Sequence, residues 1–447
     1  MTATAVAVDR PSSKTLGGHW IDDWNPEDPT FWANGGARIA KRNLIFSIFS
    51  EHIGFSVWSL WSVMVLFLGP AYGFDPAQKF LLTAVPTLVG AGLRIPYTFA
   101  VARFGGRNWT IVSASLLLIP SILIALLVEP GVSFTTLLIL AATAGVGGGN
   151  FASSMANINA FFPNRYKGWA LGINAGGGNI GVAAVQLVGL FTLAVFGAGH
   201  PGIVAGIYIP LIVLATLGSA VWMDNLSQAR NEKRGMRDAV KEGHTWVMSL
   251  LYIGTFGSFI GFGFAFGQVL QVQFATQFDT PIKAAYLTFL GPLLGSLIRP
   301  VGGALADRLG GARVTFVNFI AMAVGASIVL IAAQQRSLPL YIAGFITLFV
   351  LSGLGNGSTY KMIPAIFKAK YADDEHQARR ISGAVIGIAG AIGAVGGVLV
   401  NLAFRQSFLA TKEADAAYLA FIGFYALCVL VTWAVYLRPG VRKTIAV

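Results

Sequence analysis

The chain is predicted to be an all-α membrane protein, with twelve transmembrane helices in two six-helix, pseudo-symmetric halves. Three observations carry that expectation. Of 447 residues, 55% are hydrophobic and only 11% charged, a balance that belongs to polytopic membrane proteins rather than to soluble cores. The apolar residues gather into twelve segments, each long enough to cross a hydrocarbon layer of about 30 Å. Three strings also recur in the same order in the two halves. LRIPYTFAVARFGGR (93–107) parallels IRPVGGALADRLGGAR (298–313), GVGGGNFASSM (145–155) parallels GLGNGSTYKM (353–362), and GINAGGGNIG (172–181) parallels GIAGAIGAVG (387–396). Such duplication is the layout of secondary transporters, with a site at mid-membrane between the repeats.

The expected spans are 44–69, 78–102, 108–128, 133–160, 168–196, 202–224, 247–275, 283–306, 313–333, 337–367, 380–405 and 416–437. Residues 1–43 are polar, carry acids and tryptophans, and do not read as a cleavable signal. The interval 225–246, NLSQARNEKRGMRDAVKEGHTW, reads as a cytoplasmic linker with helical potential between bundles 44–224 and 247–437, and 438–447 as a cytoplasmic tail. Cys428 is the only cysteine and the five histidines lack ligand spacing, so no disulfide framework, metal or cofactor is expected.

Charge sets the orientation. With the N-terminus in the cytoplasm, only Lys79, Lys283, Arg336, Arg405 and Lys412 fall in outer loops. Most other basic residues lie on the cytoplasmic side, and an even helix number returns the C-terminus there. The formal net charge of +12 therefore reflects scattered loop residues at a lipid bilayer. With no separate basic domain, no nucleic-acid partner is expected. The chain is read as a monomer in the cytoplasmic (inner) membrane.

Two arginines occupy matching places in the halves. Arg94 is the sole charge in residues 80–102, and Arg299 the sole charge in residues 284–306. Each precedes by nine residues a basic residue at a Gly-Gly turn, Arg103 in RFGGR and Arg308 in RLGGAR. Nine helical residues rise about 13.5 Å, roughly half the hydrocarbon core. Both guanidiniums are therefore expected near mid-membrane, where an isolated cation costs at least about 2.5 kcal/mol. An anion between them would repay that cost.

The glycine strings do not continue into Gly-Lys-Ser/Thr and follow no strand, so they are not phosphate loops. Gly147, Gly149, Gly176, Gly178, Gly355, Gly357, Gly390 and Gly393 read as close helix-packing positions that gate movement of the halves. Asn150, Ser153, Ser154, Asn157, Asn159, Asn174 and Asn179 accompany them. Amides and hydroxyls at membrane depth must face protein or a watery cavity, which suits a narrow path for a small polar anion.

These residues also carry a family resemblance. GGHWIDDWNPEDPTFW, LRIPYTF with FGGRNWT, GGGNFASSMANINAFFP, ALGINAGGGNIG, MSLLYIGTFGSFIGF, GGALADRLGGARVT and GLGNGSTYKMIPAIF resemble the nitrate/nitrite porter family of the major facilitator superfamily. The likeness runs from about residue 17 to 440. It implies a transporter of nitrate and nitrite, not an enzyme, in which Arg94 and Arg299 bind the anion. It further implies pocket aromatics at Phe55, Phe151, Tyr252 and Phe256 and a signature asparagine at Asn179. Nitrate is a flat delocalised anion, and the planar N–H fork of arginine meets two of its oxygens at once, which lysine does not.

The arginine pair suggests exchange of nitrate for nitrite. At an effective dielectric of about 20 and a separation near 6 Å, two unit charges repel by about 3 kcal/mol. Closure of an empty site is opposed, and closure around an anion is favoured. Two further charges leave coupling open. Glu51, beside His52 and four residues before Phe55, is either a structural counter-ion or a group that takes up a proton. Lys361 is either a snorkelling residue or the partner of Glu51. Proton symport through Glu51 and transport of another small anion stay as alternatives. A membrane enzyme or receptor has no nucleophile–base pair, metal site or signalling domain behind it.

Overall fold

The computed structural model describes residues 19–228 and 233–439. The first eighteen residues, residues 229–232 of the predicted linker and 440–447 of the predicted tail lie outside them. Among the described residues, twelve helices are long and apolar enough to cross a membrane. They are α1 (Pro29–Phe67), α2 (Pro76–Phe104), α3 (Gly106–Leu127), α4 (Phe134–Phe161), α5 (Asn164–Phe196), α6 (Gly202–Trp222), α7 (Gly243–Gln273), α8 (Pro281–Leu309), α9 (Gly311–Gln334), α10 (Leu338–Lys370), α11 (Gln377–Thr411) and α12 (Asp415–Leu437).

Their limits follow local chemistry. Asp75 caps α2 in a reciprocal capping box with Gln78, and Pro76 takes the first turn, where its missing N–H costs nothing. The α2–α3 and α8–α9 junctions turn at Gly105 and Gly310, both at φ +89°, a backbone that disfavours side chains. α1 starts earlier than its apolar stretch predicts. Asp28 caps it by accepting from Thr30 N, Pro29 opens it, and the chain kinks at Gly35 (φ +137°). Arg38, Lys41 and Arg42 extend the helix beyond the apolar segment.

The segment before α1 is a strap rather than a loose tail. Trp20–Ile21 (β1) pairs in parallel with Asn225–Leu226 (β2), just after α6. Trp24 Nε1 donates to Phe161 O at 3.2 Å. Asp224 receives Arg42 Nη2 at 2.6 Å and Asn43 Nδ2 at 2.8 Å, while its own N–H donates to Asn43 Oδ1. The strap thus ties α1, α4 and α6 together at the end of the bundle that carries the termini. The linker helix Lys233–Lys241 belongs to the other half: Asp238 pairs with Arg380 of α11 at 3.0 Å.

The halves meet tightly at the opposite end. Phe80 stacks on Phe404 and Phe408 at 5.7 and 5.5 Å. Thr83 Oγ1 donates to Asn401 Oδ1 at 2.7 Å, and Gln268 Nε2 to Pro76 O at 2.6 Å.

Replacing Asp224 with Ala removes the carboxylate that Arg42 and Asn43 share and loosens the strap. The expected result is a thermal midpoint lower by a few degrees in detergent, at unchanged helix content by circular dichroism.

Candidate functional site between two buried arginines

Arg94 projects from α2 and is 1% exposed; Arg299 projects from α8 and is 6% exposed. The Arg94 guanidinium lies among the rings of Phe151, Phe256 and Trp58, at 4.6, 4.9 and 5.2 Å from their centroids. Its Nε donates to Gly148 O at 3.1 Å, and its Nη1 crosses to the other half to donate to Gly390 O at 2.7 Å. Arg299 donates from Nη2 to the Tyr252 hydroxyl at 3.3 Å and lies over the Tyr360 ring at 5.5 Å. One nitrogen of each guanidinium, Arg94 Nη2 and Arg299 Nη1, is buried without a hydrogen-bond partner among the described residues. Buried donors of this kind are costly in a low-dielectric interior. They are suited to an anion.

The rings form a continuous wall. Phe55 meets Phe151 at 6.0 Å, Phe151 lies over Phe256 at 6.2 Å, and Phe256 stacks on Tyr252 at 5.2 Å and 10°. Of the four aromatics expected from the sequence, Phe151, Phe256 and Tyr252 touch the arginines, and Phe55 stands behind them against Phe151 and Trp58. Trp58 and Tyr360 join them, and nothing in their local sequence marked them out. Trp58 is oriented by its Nε1–H on Pro86 O at 2.8 Å. Asn179 is buried on α5 with both amide atoms unpartnered among the described residues. A cavity of about 60 Å³ runs from Arg94, Phe151 and Tyr360 past Met155, Asn159 and Ile386. A water needs about 10–15 Å³ on this measure, so an ion of a few heavy atoms fits. The cavity extends toward the end carrying the termini, away from the sealed end.

Glu51 is 0% exposed. Its Oε2 accepts from Asn174 Nδ2 at 2.7 Å and from the Ser154 hydroxyl, while Oε1 has no partner among the described residues. It lies within electrostatic reach of both arginines. Lys361 is not its partner. The Lys361 ammonium pairs with Asp307 at 2.9 Å, and both side chains are substantially exposed. The reason is helical geometry: Lys361 follows the Gly353–Gly357 stripe of α10, which packs on α8, so its side chain reaches the acid at the end of α8. Its charge is met by the acid at the end of α8 rather than by Glu51.

Three expectations about glycines need correction. A Cβ on Gly176 meets nothing within 4 Å among the described residues, so that position is not a packing seam between them. Gly390 makes only ordinary contacts, at 3.6 Å to Phe151 and 3.7 Å to Arg94; its contribution is the carbonyl that holds Arg94. The tight positions also lie inside each half rather than between halves. Gly147 would meet Gly54 O at 2.2 Å, Gly149 the Tyr97 ring at 2.6 Å, and Gly178 Glu51 at 2.3 Å. Gly355 would meet Asn318 at 2.3 Å, Gly357 Arg299 O at 2.1 Å, and Gly393 Tyr252 at 2.4 Å. These glycines make each half a rigid block. The close approach between blocks uses Gly397, where an added Cβ would meet Thr87 at 2.9 Å, and Gly267, where it would meet Leu66 at 3.2 Å.

With this geometry the molecule is a transporter-type bundle with an enclosed anion-suited centre, and comparison with known proteins specifies the class. Residues 44–401 match the Major Facilitator Superfamily. The chain is 38% identical over 94% of its length to the nitrate/nitrite transporter NarU of Escherichia coli strain K12, covering 96% of that protein. It is 35% identical over 96% of its length to the probable nitrate/nitrite antiporter NarK2 of Thermus thermophilus, covering 99% of it. Among solved structures, a D-xylose–proton symporter superposes with a TM-score of 0.69 at 14% identity, over 88% of this chain and 97% of that one. That likeness concerns the fold. The chain belongs to the nitrate/nitrite porter family of the major facilitator superfamily.

Leu at Gly147 or Gly357 drives a side chain into backbone of a neighbouring helix. Both variants are expected to lose folded protein in size-exclusion chromatography, while Gly176→Leu elutes and melts like wild type.

Proposed function

We propose that the protein is a secondary transporter that moves nitrate and nitrite across the cytoplasmic membrane, chiefly by exchange, with both termini in the cytoplasm. The observation that carries this reading is the pair of buried guanidiniums, one from each half, each keeping an unpartnered nitrogen beside a wall of aromatic rings. The names of the relatives support the substrate. A planar, delocalised monoanion suits the one unpartnered nitrogen on each guanidinium and the ring faces beside them. Binding cancels the repulsion between the arginines, so the halves close only around an anion. Reopening toward either face then completes a rocking cycle. Arg94→Lys and Arg299→Lys keep the charge and lose the planar N–H donors that hold the side chain and leave one nitrogen for the anion. Each is expected to remain folded and to lose most nitrate binding, by about tenfold or more in titration calorimetry. Near-wild-type transport by either variant contradicts the assignment.

Glu51 favours a second reading, proton symport. A buried carboxylate within reach of both arginines feels the arrival of an anion, and its held Oε2 and unpartnered Oε1 give it a site for a proton. Counterflow in proteoliposomes separates the readings. Under exchange, Glu51→Gln slows every mode alike and lowers stability. Under symport, it abolishes uphill nitrate uptake driven by a pH gradient and spares nitrate/nitrite exchange.

A further inference from the structure

The two unpartnered guanidinium nitrogens supply donors for two anion oxygens, which nitrate and nitrite share. Nitrate has a third. Asn356 of α10 is 0% exposed, and both its amide atoms are buried without a partner among the described residues. Four residues separate it from Tyr360, so the two share a helix face within about 40°. Tyr360 lines the central cavity, with its ring at 5.5 Å from the Arg299 guanidinium and 6.2 Å from the Tyr252 ring. The depth matches as well. The next residue, Gly357, packs against the backbone carbonyl of Arg299 itself. The remaining faces of α10 are accounted for: Gly353 packs on Gly295 of α8, Gly355 on Asn318 of α9 and Thr255 of α7, and Ser358 bonds Thr315. A carboxamide left unpaired in such surroundings serves no packing purpose, since an apolar side chain of the same shape would fit at lower cost.

We propose that Asn356 is a specificity-determining residue whose amide N–H meets the third oxygen of nitrate, setting the preference for nitrate over nitrite. The inference rests on the nitrate/nitrite reading and deepens it. Loss of the Asn356 donor removes a charge-assisted bond that nitrate makes and nitrite does not.

The test is Asn356→Leu, which preserves shape and removes the donor, with Asn356→Ala as a second variant. Nitrate and nitrite affinities are measured by titration calorimetry on purified full-length protein, alongside the thermal midpoint without anion. The expected result is nitrate binding weaker by about tenfold or more, nitrite binding within about threefold of wild type, and a midpoint equal to or above wild type for Leu. Equal weakening of both anions, an unchanged affinity ratio, or failure of both variants to fold would each show a packing or structural residue and overturn the proposal. Those outcomes leave the nitrate/nitrite reading intact when wild type binds both anions. Wild type binding neither overturns both.

Discussion

Everything in the centre of this molecule follows from holding two guanidiniums inside a membrane. Arg94 and Arg299 carry like charge, come from different halves and are almost fully buried. Such charges persist only where their hydrogen-bonding capacity is largely met and their field is balanced. The protein meets part of that demand with carbonyls of Gly148 and Gly390, the Tyr252 hydroxyl and several ring faces. It leaves one nitrogen on each arginine for something else. The Arg94–Gly390 bond also spans the two halves, so the charge that faces the anion is wired to the boundary across which the halves move.

Rigidity elsewhere makes that motion a movement of blocks. The glycine seams bring backbones together inside each half, and the strap under α1, α4 and α6 holds three helices of the first half as a unit. The linker helix is fastened to the second half through Asp238 and Arg380. The sealed end uses ring stacking and single hydrogen bonds between halves, Phe80 with Phe404 and Phe408, Thr83 with Asn401. Contacts of that kind can part without unfolding either block.

The sequence made the architecture and the arginines legible because both depend on features local to a segment: apolar length, a lone charge, and its spacing from a Gly-Gly turn. The family strings did the same for Phe55, Phe151, Tyr252 and Phe256. What stayed hidden depends on which helices face each other. Glu51 lies four residues from Phe55, but its bonds to Ser154 and Asn174 come from α4 and α5. The partner of Lys361, Asp307, comes from α8, a helix that its own segment does not name. Gly176 sits in a string as glycine-rich as that around Gly147, yet only Gly147 touches a neighbour. Pairing of Trp20–Ile21 with Asn225–Leu226 joins residues about two hundred apart, beyond any local pattern.

The measurement that bears most directly on the arginine pair is thermal stability of purified wild-type protein against anion concentration. A ligand that binds only the folded state raises the midpoint in step with the logarithm of its concentration above Kd. Nitrate and nitrite are expected to raise it in that manner, and sulfate at equal ionic strength to leave it unchanged. Stabilisation by sulfate equal to that by nitrate, or no response to nitrate at all, would contradict a planar-anion site between Arg94 and Arg299.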